Sequence, residues 1–161
     1  MPVIRLFTPI AAPPGLVFDL ARSIDAHQHS AEGTQERAVA GVTRGLIGMG
    51  DEVTWEARHL GIKQRLTVRI TGFERPNRFQ DVMISGAFKR MNHDHEFIAQ
   101  PPGTLMKDRF EFASPFGILG WMFDQLFLAR YLRRFLVRRN QVLKNMAESE
   151  EWRKYVTDAS Q

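Results

Sequence analysis

Residues 89–97, with the sequence KRMNHDHEF, place two histidines one residue apart and an aspartate between them. Alternate side chains of an extended strand point to the same face, so His93 and His95 share one face while Asp94 points to the other. Two imidazoles on one face can bind a metal ion, exchange protons with a substrate, or form hydrogen bonds to a buried carboxylate. The spacing alone leaves all three chemistries open.

A metal site is the first of these possibilities, and it needs at least one further ligand close to the two imidazoles. His59 and Asp108 are the candidates for that ligand. No other spacing typical of metal ligands supports such a site, and a chain without cysteine offers no thiolate. We therefore expect no metal and no cofactor.

Proton transfer is the second possibility, and it requires a carboxylate next to an imidazole. His95 and Asp108 are the preferred catalytic pair, because the strands that carry them are predicted to be neighbours across the turn AQPPG at 99–103. A His–Asp pair in an apolar cavity can have shifted pKa values and act as a general acid or base.

A polar network without turnover is the third possibility. In this interpretation the two histidines form hydrogen bonds to Asp108 and Asp81, and they present one polar spot to a ligand. Buried polar groups nearly always have hydrogen-bond partners. The sequence therefore favours this interpretation over the other two.

A run of strands is predicted to position these side chains. A first strand covers residues 3–8, a short helix follows at 16–24, and residues 25–36 form a second short helix or loop. Helical spacing returns from about residue 116 to residue 151. Between them, alternation and turn residues predict six more strands, at 38–47, 52–60, 62–73, 78–88, 89–98 and 104–113.

This order of elements predicts the architecture. Consecutive strands joined by short turns pair antiparallel, because parallel pairs need long crossovers. One face of such a sheet must be covered, and the long C-terminal helix is the element able to cover it. The sequence thus predicts an α+β fold in which a curved antiparallel sheet of about seven strands wraps around this helix. Two short helices follow the first strand, and space for a cavity remains between sheet and helix.

The strand alternation also predicts which side chains face that cavity. The inward set is mainly apolar and aromatic, with titratable exceptions, as in many small-molecule sites. The predicted cavity residues are Trp55, His59, Asp81, Met83, His93, His95, Phe97, Asp108 and Phe110.

The C-terminal helix is predicted to have one core-facing side and one solvated basic side. Arg130, Arg134 and Arg138 recur every four residues and form the basic side. An alternative use of these arginines is contact with an anionic membrane surface. The predicted core-facing residues are Leu119, Met122, Leu126, Leu132, Phe135, Leu143 and Met146.

Composition excludes several classes of protein. The 161 residues suffice for one domain with its own core, so we expect a single domain over 1–161, with about 148–161 as the helix end and tail. The formal charge of +4 is too small and too localised for a nucleic-acid-binding surface. The N-terminus does not resemble a signal peptide, and no apolar run is long enough to span a bilayer. Together with the absence of cysteine, these features predict a cytoplasmic protein without stable membrane insertion.

Several stretches resemble the SRPBCC (START/Bet v 1-like) superfamily, in particular its bacterial polyketide-cyclase-like proteins. They are ERAVAGVTRGLIGMGDEVTWEARHLG, RFQDVMISGAFKRMNHDHEF, TLMKDRFEFASPFGILG and RRNQVLK, and they run in order through about residues 3–147. The patterned positions of the resemblance are Asp81, Phe88, His93, His95, Phe97 and Asp108. The resemblance implies the helix-grip fold and does not assign these residues a chemical role.

The resemblance also implies a class of function. Such proteins bind a hydrophobic small molecule, such as a lipid, a polyketide or another aromatic or isoprenoid metabolite. Some relatives are cyclases, aromatases or dehydratases, so an enzyme that uses a His–Asp pair in the same cavity is the alternative. A ligand-binding protein without turnover is the preferred expectation.

Overall fold

The computed structural model describes residues 1–115 and 117–156. Within these described residues, seven strands and four α-helices follow the predicted order. The strands are β1 (Val3–Ile10), β2 (Arg37–Gly41), β3 (Glu52–His59), β4 (Ile62–Glu74), β5 (Arg78–Gly86), β6 (Arg90–Gln100) and β7 (Gly103–Ala113). The helices are α1 (Pro14–Ala21), α2 (Ile24–Ser30), α3 (Gly117–Phe123) and α4 (Ala129–Ala147), with a π-helical turn at Asp124–Leu128 and 3₁₀ turns at Glu32–Thr34 and Glu150–Lys154.

All seven strands form one antiparallel sheet in the order β1-β7-β6-β5-β4-β3-β2. Every connection from β2 to β7 therefore joins neighbouring strands, and β1 closes the far edge against β7. In β6, Met91, His93, His95 and Phe97 are all buried, as the alternation predicts, whereas Asp94 on the opposite face is half-buried.

α4 lies across the inner face of this sheet. Leu132, Leu136, Leu143 and Met146 are buried in the same core cluster as the inward residues of the strands. α1 and α2 cover the rest of the inner face, with Phe18 in edge-on contact with rings of the sheet. None of the helices in the described residues is long and apolar enough to cross a bilayer.

The strand predicted at 38–47 is shorter than expected, because β2 ends at Gly41. This glycine has a φ of 72°, and a Cβ added to it would lie 2.2 Å from the carbonyl oxygen of Glu52 on β3. Only glycine fits this left-handed position so close to the neighbouring backbone. Beyond it the chain turns towards α2, where Gly45 accepts a hydrogen bond from the backbone of Ile24.

The prediction for the C-terminal helix is correct in its second half and wrong in its first. The helical run from Gly117 to Ala147 is continuous through the π-helical turn. Leu119, Met122 and Leu126, predicted to face the core, are exposed. The reason is that α3 has little contact with the sheet, whereas α4 packs against β1. Within this helical run, it is the residues from Leu128 onwards that pack on the core of the sheet.

Candidate ligand cavity

A cavity of about 370 Å³ lies between the inner face of the sheet and α4. Its wall is mainly apolar and aromatic, with Trp55, Leu66, Phe88 and Phe110 on one side and Phe135 on the other. The polar groups of the wall fall into two clusters, one around Asp108 and one around Glu36.

The first polar cluster is centred on the buried carboxylate of Asp108. Nε2 of His93 lies 2.8 Å from Oδ1 of Asp108, in a hydrogen bond. Nδ2 of Asn140 on α4 donates to Oδ2 at 2.6 Å, and the guanidinium of Arg139 lies 3.6 Å from Oδ1. One carboxylate thus joins strands β6 and β7 to the helix that crosses them.

His95 extends this cluster to a second carboxylate. Its Nε2 is hydrogen-bonded to Oδ2 of Asp81 at 3.2 Å, and its ring stacks on Phe79. Its Nδ1 lies 3.1 Å from Oδ1 of Asp108, but it is not aligned for a hydrogen bond and has no partner. The rings of His93 and His95 are only 3.8 Å apart, so the two imidazoles and two carboxylates form one electrostatic unit.

The two histidines have opposite shifts in pKa. Burial lowers the pKa of His93 to about 4, and the positive charge of His95 acts in the same direction despite the hydrogen bond to Asp108. Burial would also lower the pKa of His95, but the carboxylates of Asp108 and Asp81 outweigh it and raise that pKa. At neutral pH, His93 is therefore neutral, and His95 is the more readily protonated ring of the pair.

The two carboxylates are held in their charged form. Burial alone would raise the pKa of Asp108, but its contacts with His93 and His95 keep the pKa well below its usual range. The pKa of Asp81 is lowered in the same way, because His95 outweighs the effect of burial. The cluster therefore holds two charged carboxylates, of which Asp81 lines the cavity and Asp108 does not.

The second polar cluster lies where α2 meets β2 and β3. Nε2 of His27 is 2.7 Å from Oε1 of Glu36, and the His27 ring stacks on Trp55 with the ring centres 4.1 Å apart. Nearby, Nδ1 of His59 is hydrogen-bonded to the hydroxyl of Tyr131 on α4 at 2.9 Å. All five side chains line the cavity.

The charges of this second cluster also depend on burial. Burial would raise the pKa of Glu36, but the interaction with His27 outweighs it and lowers the pKa. Burial lowers the pKa of His59, against the opposite influence of Glu36. The cluster therefore offers a carboxylate, a neutral imidazole and a phenol hydroxyl as possible contacts for a ligand.

In a comparison with solved structures, the chain resembles a protein from Thermus thermophilus with a TM-score of 0.75 and 19% identity. A START superfamily protein from Mycobacterium smegmatis gives a TM-score of 0.69 at 10% identity. Ginseng major latex-like protein 151 from Panax ginseng gives 0.68 at 11%. Each alignment covers 91% of this chain and 97% of the other. No protein-family model and no curated protein matches the chain.

The chain has the START/Bet v 1-like helix-grip fold. This agrees with the fold that the sequence resemblance implies. The cavity described above is the space that the sheet and α4 enclose, and we call it the helix-grip cavity.

The structure places part of the predicted site on the cavity wall and part of it elsewhere. Trp55, His59, Asp81, His93 and Phe110 line the helix-grip cavity. The residues predicted there that do not line it are Met83, His95, Phe97 and Asp108.

Two of these four predicted residues show why a position can miss the cavity. Phe97 lies under α1, where its ring contacts Phe18 edge-on, with the two ring centres 5.3 Å apart. Asp108 is enclosed by His93, Arg139 and Asn140. Alternation correctly gives the inward face of a strand, but not how much of that face a helix covers.

His95 and Asp108, the predicted catalytic pair, lie within reach of each other, with Nδ1 of His95 3.1 Å from Oδ1 of Asp108, but the hydrogen bonds join each of them to another partner. Asp108 is hydrogen-bonded to His93, and His95 is hydrogen-bonded to Asp81. His95 and Asp108 are register partners across β6 and β7, as predicted, but neither lines the cavity. Each of the two observed hydrogen bonds joins diagonal neighbours, because a side chain on an antiparallel strand also reaches the residue two positions away from its register partner.

Sequence reasoning missed several residues of the wall. His27 was not assigned a role, and Glu36, Tyr131 and Arg139 were not singled out, yet all four line the cavity. For Arg139, the sequence RYLRRFLVRRN at residues 130–140 does contain an indication of its position. Arg139 and Asn140 follow Leu132 and Leu136 at helical spacing, which places them on or beside the buried side of α4.

Asp81, His93 and His95 are also close enough to bind a metal ion together, because their potential ligand atoms lie within 4.8 Å of one another. However, Nε2 of each histidine is already hydrogen-bonded to a carboxylate. The guanidinium of Arg139 also lies 3.6 Å from Oδ1 of Asp108, the carboxylate that binds His93. A divalent cation would have to displace these hydrogen bonds and approach a fixed positive charge. The donor set thus fits an internal hydrogen-bond network better than a metal site.

Proposed function

We propose that this protein binds a hydrophobic small molecule in the helix-grip cavity, as a carrier or a binding protein. The observation that carries the proposal is an apolar, aromatic cavity of about 370 Å³ with two polar clusters in its wall. This volume is within the range of small-molecule sites, and a few polar groups in an apolar wall are typical of them. The ligand class is a lipid, polyketide, aromatic or isoprenoid metabolite that carries at least one polar group.

Binding without turnover is supported by the state of the polar groups. Asp108 accepts hydrogen bonds from His93 and Asn140, and Asp81 is hydrogen-bonded to His95, so these contacts stabilise the fold whether or not a ligand is present. The second cluster, with Glu36 and the Tyr131 hydroxyl, offers polar contacts nearer α2. We further propose one SRPBCC-type domain over residues 1–161 in a cytoplasmic setting.

Native mass spectrometry of the purified protein, followed by organic extraction, tests the proposal. We expect a co-purifying small molecule, or uptake of a fluorescent lipophilic probe with a stoichiometry of one. Leu66→Trp should fill the cavity and abolish both, because Leu66 lines it. Thr67→Trp, on the opposite face of the same strand, is the matched control and should bind normally. Equal binding by both variants would contradict the proposal.

An acid/base enzyme is the second candidate function, and one observation favours it. His93 lines the cavity while its Nε2 is held by the buried carboxylate of Asp108. This fixes the imidazole with Nε2 as the donor, leaving Nδ1 as the nitrogen able to accept a proton. A cyclase, aromatase or dehydratase reaction on an enolisable ligand would use such a group.

Incubation of the protein with the extracted ligand or its precursor separates the two candidates. An enzyme should produce a product that has lost water or gained a ring, and His93→Gln should abolish the product while the ligand still binds. A binding protein should return the ligand unchanged with either chain.

A further inference from the structure

An exposed apolar segment covers residues 117–127 at the start of the C-terminal helical run. Gly120 and Asp124, four residues apart, form its buried side. The other large side chains point outward, with exposures of 46–79%: Ile118, Leu119, Trp121, Met122, Phe123, Leu126 and Phe127. An apolar patch of this density on one helix marks a site of interaction.

The surroundings of the segment are basic. Residues 114–147 contain six arginines and lysines but one carboxylate, Asp124, and that carboxylate is turned inward. It accepts hydrogen bonds from the backbone nitrogen and the hydroxyl of Ser114. Four arginines follow the segment on the exposed side of α4, namely Arg130, Arg133, Arg134 and Arg138.

We propose that the exposed apolar segment docks on the surface of an anionic phospholipid bilayer. Its apolar side chains would enter the boundary between headgroups and acyl chains, while the arginines of α4 contact anionic headgroups. The combination of large apolar side chains with a basic flank is the pattern of an interfacial helix. No bilayer-spanning segment is required.

Charge favours a bilayer over a second copy of this chain. A two-fold interface brings the same surface of both copies together, so a second copy would offer the arginines beside the segment no carboxylate from its own segment. The positive charges of the two copies would then stay uncompensated, which opposes association. An anionic membrane provides an apolar boundary for the large side chains of the segment and negative headgroups for the arginines of α4.

The position of the segment links docking to the cavity, and this part of the inference rests on the proposed function. Phe123 and Leu128 line the cavity, as do Ser114 and Pro115 at the end of β7. The same short stretch is thus both an exposed apolar surface and a wall of the cavity. A ligand that partitions into bilayers could pass between membrane and cavity here without crossing water, so the ligand class narrows to membrane-soluble lipophiles.

Vesicle co-sedimentation tests the inference. We expect the protein to bind vesicles of phosphatidylglycerol and phosphatidylcholine, and to bind pure phosphatidylcholine more weakly. The double variant Leu119→Gln/Leu126→Gln should lose about tenfold or more in vesicle affinity, because two exposed leucines no longer enter the apolar boundary. Arg130→Gln/Arg134→Gln should reduce binding to anionic vesicles and weaken its dependence on salt.

The matched control is Phe7→Gln/Ile98→Gln, which removes two exposed apolar side chains from the sheet and should bind vesicles like the unchanged protein. Absence of vesicle binding, or equal binding by the leucine variant, would overturn the inference. A dimer that dissociates only in the leucine variant, without vesicle binding, would assign the surface to a second copy instead. Leu66→Trp separates the two proposals, since it should lose the cavity ligand but still bind vesicles.

Discussion

At the scale of single residues, His93 and His95 share one face of β6 but are expected to differ in charge. His93 is hydrogen-bonded to one carboxylate and lies beside the ring of His95, whereas His95 lies between two carboxylates. Electrostatics therefore places the proton of this pair on His95, away from the cavity, and leaves the neutral ring at the cavity wall. A ligand that reaches the wall meets a hydrogen-bonding imidazole, not a cation.

Nitrogen-15 NMR of the imidazoles should resolve this difference. We expect His93 to remain neutral at pH 5.5, because its pKa is lowered to about 4. We expect His95 to be protonated at pH 6.5, because its pKa is raised. A neutral His95 beside a charged His93 at pH 5.5 would reverse the assignment.

Asp108 is the residue whose loss should be most costly. Asp108→Asn keeps the shape but removes the charge that holds His93 and His95, and it presents an amide to Asn140. Breaking a buried charge network from one side costs roughly 3–5 kcal/mol. We expect urea unfolding to show a loss of this order. Asp81→Asn, at the more exposed carboxylate, should cost clearly less, and equal losses would contradict the central role of Asp108.

At the scale of elements, the junction between β7 and the helical run depends on Asp124. This buried carboxylate accepts hydrogen bonds from Ser114 and thereby fastens the π-helical turn to the end of the last strand. α3 has few other contacts with the sheet. We expect Asp124→Ala to increase amide hydrogen exchange within residues 117–128 while the strands remain protected. Gln125→Ala, on the exposed neighbour, is the control, and uniform deprotection in either variant would refute local attachment.

The same elements show what the sequence could predict. Strand order and inward face follow from alternation and short turns, and both are confirmed in β3, β4, β6 and β7. Asp108 and Asp81 are the partners of the two histidines, as predicted, but which histidine binds which carboxylate could not follow, because direct and diagonal neighbours are equally compatible with alternation. The exposure of Leu119 and Leu126 could not follow either. Helical periodicity finds an apolar side but does not say whether the sheet or another surface covers it.

At the scale of the whole molecule, the buried histidines make stability depend on pH. The pKa of His93 falls from 6.5 to about 4 on folding, so between these values the unfolded chain binds a proton that the folded chain does not. The contribution of His93 therefore decreases as pH falls from 6.5 to 4, by at most about 3 kcal/mol at 1.36 kcal/mol per unit. His95 has the opposite sign, since its stabilisation is present below pH 6.5 and is lost as pH rises through its raised pKa.

These signs predict the shape of the stability curve. Unfolding free energy, measured by urea titration at intervals from pH 3 to pH 8, should fall on the acid side of pH 6.5. In His93→Gln the slope between pH 6.5 and pH 4 should be shallower, because one group that resists protonation in the folded chain is gone. Below about pH 4 both chains should lose stability together, since the pKa values of Asp81 and Asp108 are lowered in each of them by the remaining His95. If the curves of His93→Gln and the unchanged protein are parallel, His93 is not buried as a neutral ring.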